Sequence, residues 1–131
     1  MKIKFLLFLL VSVFLFTACT PKAEQSTAYH KITAQEAKEK IDAGDVTIVD
    51  VRTAEEYQES HIENAILIPN ESIGDQKPEQ LPDTDAVILV YCRSGRRSKE
   101  ASEKLVELGY KNIYDFGGII DWSYETVAGE E

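Results

Sequence analysis

The sequence predicts an α/β fold of three layers, α/β/α, built on a mostly parallel sheet of five strands. Three observations predict it. Apolar runs rich in β-branched residues alternate with segments that carry helix starts, the order expected of strands joined through helices. The runs are continuously apolar rather than alternating, which suits strands covered on both faces. Two of the helix starts share one signature, a threonine followed three residues later by a glutamate. In this capping box each side chain accepts the backbone N–H of the other residue.

Taken in order, a short strand around His30 to Ile32 is the first candidate. "TAQE" (Thr33 to Glu36) opens a helix that runs to about Asp42, with Gly44 suited to its C-terminal cap. "VTIVDV" (46–51) is the second strand, and "TAEE" (Thr53 to Glu56) opens a shorter helix through Tyr57. "AILIP" (65–69) is the third strand, stopped by Pro69. Residues 70–85, "NESIGDQKPEQLPDTD", are turn-forming, with room for one helical turn. "AVILVY" (86–91) is the most apolar strand. A third helix is expected to begin near Ser98, with Ala101, Leu105 and Leu108 on its apolar face and Gly109 at its end. "NIYDF" (112–116) is the last strand.

The 131 residues fit one domain, and 44% hydrophobic content is enough for one core. The formal charge is −9. Without residues 1–18, which hold Lys2 and Lys4, 12 basic side chains face 23 acidic ones, a net charge of −11. Such a surface is ill suited to nucleic acid and is repelled by anionic headgroups.

Residues 1–18 read as a signal peptide. Lys2 and Lys4 form a basic start, and Phe5 to Phe16 is apolar apart from Ser12, too short to span a bilayer. The end of this segment, "LFTAC", resembles a bacterial lipobox through Thr17, Ala18 and Cys19, with Phe16 in place of the usual leucine. That resemblance implies a lipid-modified Cys19 and stable anchoring of an exported protein to a membrane. Residues 19–31 read as a lipidated polar tether, with a reach of roughly 20 Å. Residues 32–131 then form the folded domain.

With Cys19 acylated, Cys92 is the lone thiol and has no disulfide partner within the chain. It stands at the end of a strand, where ligands bind in parallel sheets, and Asp50 stands at the end of another. The stretch that follows, Arg93, Ser94, Gly95, Arg96, Arg97 and Ser98, holds three of the chain's four arginines. A tight turn into a helix offers converging N–H groups, and the arginines add positive charge. Both favour an ionised thiol over a neutral one. A buried structural cysteine beside a solvated turn explains the thiol, but not the cluster of arginines in an acidic chain. The residues therefore point to a nucleophile in an anion-binding cradle.

"CRSGRRS" (92–98) resembles the active-site loop of the rhodanese family, single-domain sulfurtransferases whose pattern is cysteine, four residues, then arginine. "DVRTAEEYQESHIENAILIPN" (50–70) and "GGIIDW" (117–122) resemble two further signatures of that family, in matching order. Ser60 stands where the family usually has glycine. The resemblance covers about residues 32–125 and implies a rhodanese-like fold. It implies that Cys92 forms a persulfide, taking sulfur from thiosulfate or another small anionic donor and passing it to a thiol or cyanide. It also implies that loop N–H groups hold the persulfide, that Arg93 and Arg96 face substrate, and that Arg97 braces the loop with Asp50 as partner. For Arg52, His61 and Trp122 the expected roles are salt bridge, capping or packing, and core. No cofactor and no metal site are expected, since two histidines and one free cysteine are too sparse.

Two other functions compete. Phosphatases and arsenate reductases of the same fold carry a loop one residue longer, and here that sixth position is Ser98. Alternatively, the domain relays or binds sulfur for one protein partner without rapid turnover.

Overall fold

Five strands form one sheet in the computed structural model, which describes residues 27–129. They are β1 (Tyr29–Lys31), β2 (Val46–Asp50), β3 (Ile66–Leu67), β4 (Val87–Cys92) and β5 (Asn112–Gly118). Their spatial order is β1-β5-β4-β2-β3, and every neighbouring pair is parallel. Three helices connect them: α1 (Ala34–Ala43), α2 (Ala54–Glu59) and α3 (Arg96–Glu107). Single turns of 3₁₀ helix cover Asn70–Ser72 and Ile119–Asp121. Among the described residues no helix is long and apolar enough to cross a membrane.

The continuous apolar runs are explained by the two covered faces. Along β4, Ile88, Val90 and Cys92 join the cluster that contains Ala101 and Leu105 of α3. Leu89 and Tyr91, on the opposite face, join Ala37 of α1 and Tyr57 of α2. A strand whose alternate side chains feed two cores has no solvent face to leave polar. This is the three-layer arrangement that the sequence predicts.

Both capping boxes form. Thr33 Oγ1 accepts from Glu36 N at 3.1 Å, and Glu36 Oε2 accepts from Thr33 N at 2.7 Å. Thr53 and Glu56 repeat the exchange at 3.2 and 3.4 Å. Gly44, at φ 87°, closes α1.

Four boundaries differ from expectation. β1 occupies Tyr29–Lys31, so the last part of the segment expected as tether, 19–31, is sheet. The sheet recruits it because β5 offers an unpaired edge there. β3 is only two residues long, since it lies at the sheet edge and Pro69 follows. β5 runs on to Gly118, two residues past the expected end, through a register shift against β4 that places Cys92 opposite Gly118. α3 begins at Arg96 rather than near Ser98, because Gly95 adopts φ 114° and caps it. The leader and Cys19 lie outside the described residues.

Candidate active site

Cys92 ends β4 with 1% of its surface exposed. The chain turns through residues 93–95 and enters α3. The turn aims the Gly95 N–H at the Cys92 sulfur, 3.0 Å away. It can do so because Gly95 takes a left-handed φ that a side chain would resist. The sulfur thus sits between a buried strand end and the N-terminus of a twelve-residue helix. Oriented N–H groups of this kind favour an anion over a neutral group.

The loop is walled by the end of β5. A Cβ at Gly118 would lie 2.1 Å from the carbonyl oxygen of Arg93, so only glycine lets the two backbones approach. Ile120 N–H then donates to that same carbonyl at 3.3 Å. On the other side, Ser98 is buried in the first turn of α3. Its hydroxyl oxygen lies 2.7 Å from Asp115 Oδ1 and 3.0 Å from the Gly95 carbonyl.

The three loop arginines separate into different environments. Arg93 and Ser94 are exposed, and the Arg93 guanidinium has no partner among the described residues. Arg96 is 73% exposed and pairs with Glu100, one turn further along α3, at 2.9 Å. Arg97 is 17% exposed and donates both outer nitrogens to Glu56, at 2.8 and 3.0 Å. Its guanidinium holds the Glu56 carboxyl at about 2, helped by the Thr53 N–H and opposed by burial. The Arg97 pKa rises for the same reason, the hydrogen bond to Glu56 being the largest cause.

Arg97 therefore ties the first turn of α3 to α2 through Glu56, and its partner is not Asp50. Asp50 is fully buried and already taken: Arg52 donates to it from Nε at 3.0 Å and from Nη2 at 2.6 Å, and its backbone N–H adds a bond at 2.9 Å. Two residues apart at the end of β2, the Arg52 fork reaches back to Asp50 more easily than Arg97 can reach in. Arg52 also donates to the Ser60 carbonyl at 2.7 Å, which ties β2 to the end of α2. The salt bridge expected of Arg52 is present. The structure thus brings Cys92, Gly95 and Ser98 together and sets the Asp50–Arg52 pair apart as a scaffold element.

His61 is buried, stacked on Tyr57 at 3.7 Å, with Nδ1 2.8 Å from the Tyr57 carbonyl, so its role is packing and backbone bonding. Trp122, expected in the core, is half-buried at its margin, against Phe116 and Tyr124. It follows the last 3₁₀ turn, where the sheet no longer covers it. Ser60 adopts extended backbone, φ −167°, which any residue adopts, so glycine is not required there.

Two contributors are not evident from local sequence. The capping box accounts for Glu56 by itself and masks its second use as the partner of Arg97. Asp115 lies within the run expected as a short strand, and a carboxylate inside that apolar run, "NIYDF", is the one signal the sequence holds for it.

A family model, described as a rhodanese-like domain, matches residues 33–125. The chain belongs to the rhodanese-like domain family. Among curated relatives, the thiosulfate sulfurtransferase PspE of Escherichia coli (strain K12) is 37% identical over 81 residues, 62% of this chain and 78% of that one. The solved structure of a rhodanese with anions from E. coli superimposes with a TM-score of 0.59 at 36% identity, covering 63% of this chain and 98% of that chain. The tRNA uridine(34) hydroxylase of Yersinia pestis (strain Pestoides F) is 34% identical over 99 residues, which are 72% of this chain. This chain spans only 28% of that hydroxylase. Sulfurtransferase activity is supported at the level of the rhodanese family.

Proposed function

We propose that the protein is a sulfurtransferase in which Cys92 carries sulfane sulfur as a persulfide. The observation that carries this reading is the Gly95 N–H held 3.0 Å from a buried sulfur at the start of α3. The likeness to PspE supports thiosulfate as a donor. The Cys92 thiolate attacks the outer sulfur of thiosulfate, a new S–S bond forms, and the old one breaks with its electron pair leaving on sulfite. An acceptor thiolate or cyanide then attacks the outer sulfur of the persulfide and returns Cys92 as thiolate. No cofactor enters either step. Arg93, exposed and without a counter-ion among the described residues, meets the donor's charge. Arg96 stands further out, with its charge shared by Glu100.

The turn is short: three residues separate the strand end from α3, and the Gly118 backbone closes one side. That space suits one added sulfur atom better than a tetrahedral oxyanion bound by all its oxygens. Cys19 is proposed as the lipid anchor, holding the domain outside the cytoplasm at a bacterial membrane; a lipid-labelling assay in which Cys19→Ala incorporates as much label as wild type counts against it.

The decisive experiment is intact mass spectrometry of the full chain in detergent after thiosulfate. A gain of one sulfur in wild type, absent in Cys92→Ser, is expected. No gain with thiosulfate or any small persulfide refutes the proposal. A stable persulfide with negligible cyanide turnover assigns the protein to sulfur relay rather than to rapid turnover.

A further inference from the structure

Asp115 is a buried carboxylate with no part in the chemistry above. It sits on β5 with 1% of its surface exposed. Oδ1 accepts from the Ser98 hydroxyl at 2.7 Å and from the Gly117 N–H at 2.9 Å. Oδ2 accepts from the Tyr29 hydroxyl of β1 at 2.8 Å. Lys31 Nζ is 3.6 Å from Oδ1. Burial, reinforced by the Asp115 carboxylate, raises the pKa of Tyr29 and keeps it a donor. Three donors at hydrogen-bond distance thus offset the cost of burying this carboxylate.

Two of these donors, Ser98 and Gly117, flank the Cys92 loop. Ser98 lies in the first turn of α3, and its oxygen is also 3.0 Å from the Gly95 carbonyl. Gly117 precedes Gly118, whose backbone lies against Arg93. Gly95 itself makes the N–H bond to sulfur. A hydroxyl has one proton, and the shorter distance to a charged acceptor directs it to Asp115. Ser98 is thereby held with its oxygen beside the Gly95 peptide.

We infer that Asp115 is a positioning residue, which fixes the Gly95 N–H on the Cys92 sulfur by holding Ser98 and Gly117, the two sides of the loop, from one buried point tied to β1. The inference rests on the proposed persulfide chemistry for its catalytic consequence, but not for its structural one. Asparagine can still accept from Ser98 and Gly117, whereas alanine can accept from neither.

The test uses the full chain in detergent, with Asp115→Ala, Asp115→Asn, Ser98→Ala and the Ser98→Ala/Asp115→Ala double variant. Three quantities are read: the first-turnover rate of persulfide formation from thiosulfate, the KM for thiosulfate in steady-state turnover, and the hydrogen-exchange rate of the Gly95 amide by NMR. Asp115→Ala is expected to slow persulfide formation about 10- to 100-fold and to speed Gly95 exchange at least about 10-fold, with thiosulfate KM within about 3-fold. Asp115→Asn is expected within about 3-fold of wild type on all three readouts. The double variant is expected to be no worse than Asp115→Ala beyond about 2-fold, since both substitutions remove the same Ser98–Asp115 bond. Equal impairment by asparagine and alanine, additive effects, or folded variants with wild-type Gly95 exchange would each overturn the assignment. If Asp115→Ala does not fold, Ser98→Ala alone decides: unchanged Gly95 exchange rejects the inference. A wild type that forms no persulfide refutes the sulfur-transfer reading, while Gly95 exchange still tests the positioning role.

Discussion

Replacing Glu56 with glutamine separates its two uses. Glutamine serves at the third position of a capping box, so α2 keeps its start. It cannot supply the charge that Arg97 meets through two hydrogen bonds at 2.8 and 3.0 Å. Arg97 holds the Glu56 carboxyl at about 2 instead of its ordinary 4.5. A depression of that size corresponds to at most about 3 kcal/mol at neutral pH. Side-chain exposure of 28% and 17% screens the pair, and about 1–2 kcal/mol is the expected loss. In a domain of this size, that lowers Tm by roughly 4–15 °C. The folded pKa is depressed, so the contribution is fully present above about pH 4.5 and fades as pH falls toward 2. The assay is a set of thermal melts of wild type and Glu56→Gln from pH 7 down to pH 3. The gap in Tm should be constant above about pH 5 and narrow below it. A gap of under about 1 °C at pH 7, or one that does not narrow in acid, refutes the reasoning.

Two further outcomes follow from close contacts. Gly118→Ala puts a methyl group 2.1 Å from the Arg93 carbonyl, and should cost about 1–3 kcal/mol or more in urea unfolding and slow persulfide formation more than about 10-fold. Gly74→Ala, with nothing within 4 Å of the added methyl, is the matched control and should do neither. Asp50→Asn leaves the Arg52 charge, 5% exposed, without its counter-ion, and should cost about 3–5 kcal/mol and lower Tm by more than about 12 °C. Because Asp50 does not touch the Cys92 loop, its folded fraction should still form persulfide at low temperature. A rate loss without a stability loss would restore it to the site.

Much of the fold was legible because it rests on local physics. Thr33–Glu36 and Thr53–Glu56 announce helix starts within four residues each, and both boxes form. The run ending in Cys92 is apolar on both faces because its alternate side chains enter two cores. Strand ends were less legible. β3 is short and β5 long through their places in the sheet and the register shift opposite Cys92, which no window of sequence contains. The site divides in the same way. Cys92, Gly95 and the arginines lie within six residues, so their convergence could be read from spacing.

The sequence by itself determined the α/β class, the two capped helix starts, and a cysteine set among arginines at the end of the most apolar strand. Tertiary structure alone decided which partners those residues take. Arg97 meets Glu56, 41 positions away, and Ser98 meets Asp115, 17 positions away. Asp50 and Arg52 pair with each other because the fork of Arg52 closes locally before any distant group reaches it. Hydrogen bonds act over about 3 Å. Only the packing of strands and helices brings distant donors and acceptors within that range, whereas periodicity and capping act between near neighbours in the chain.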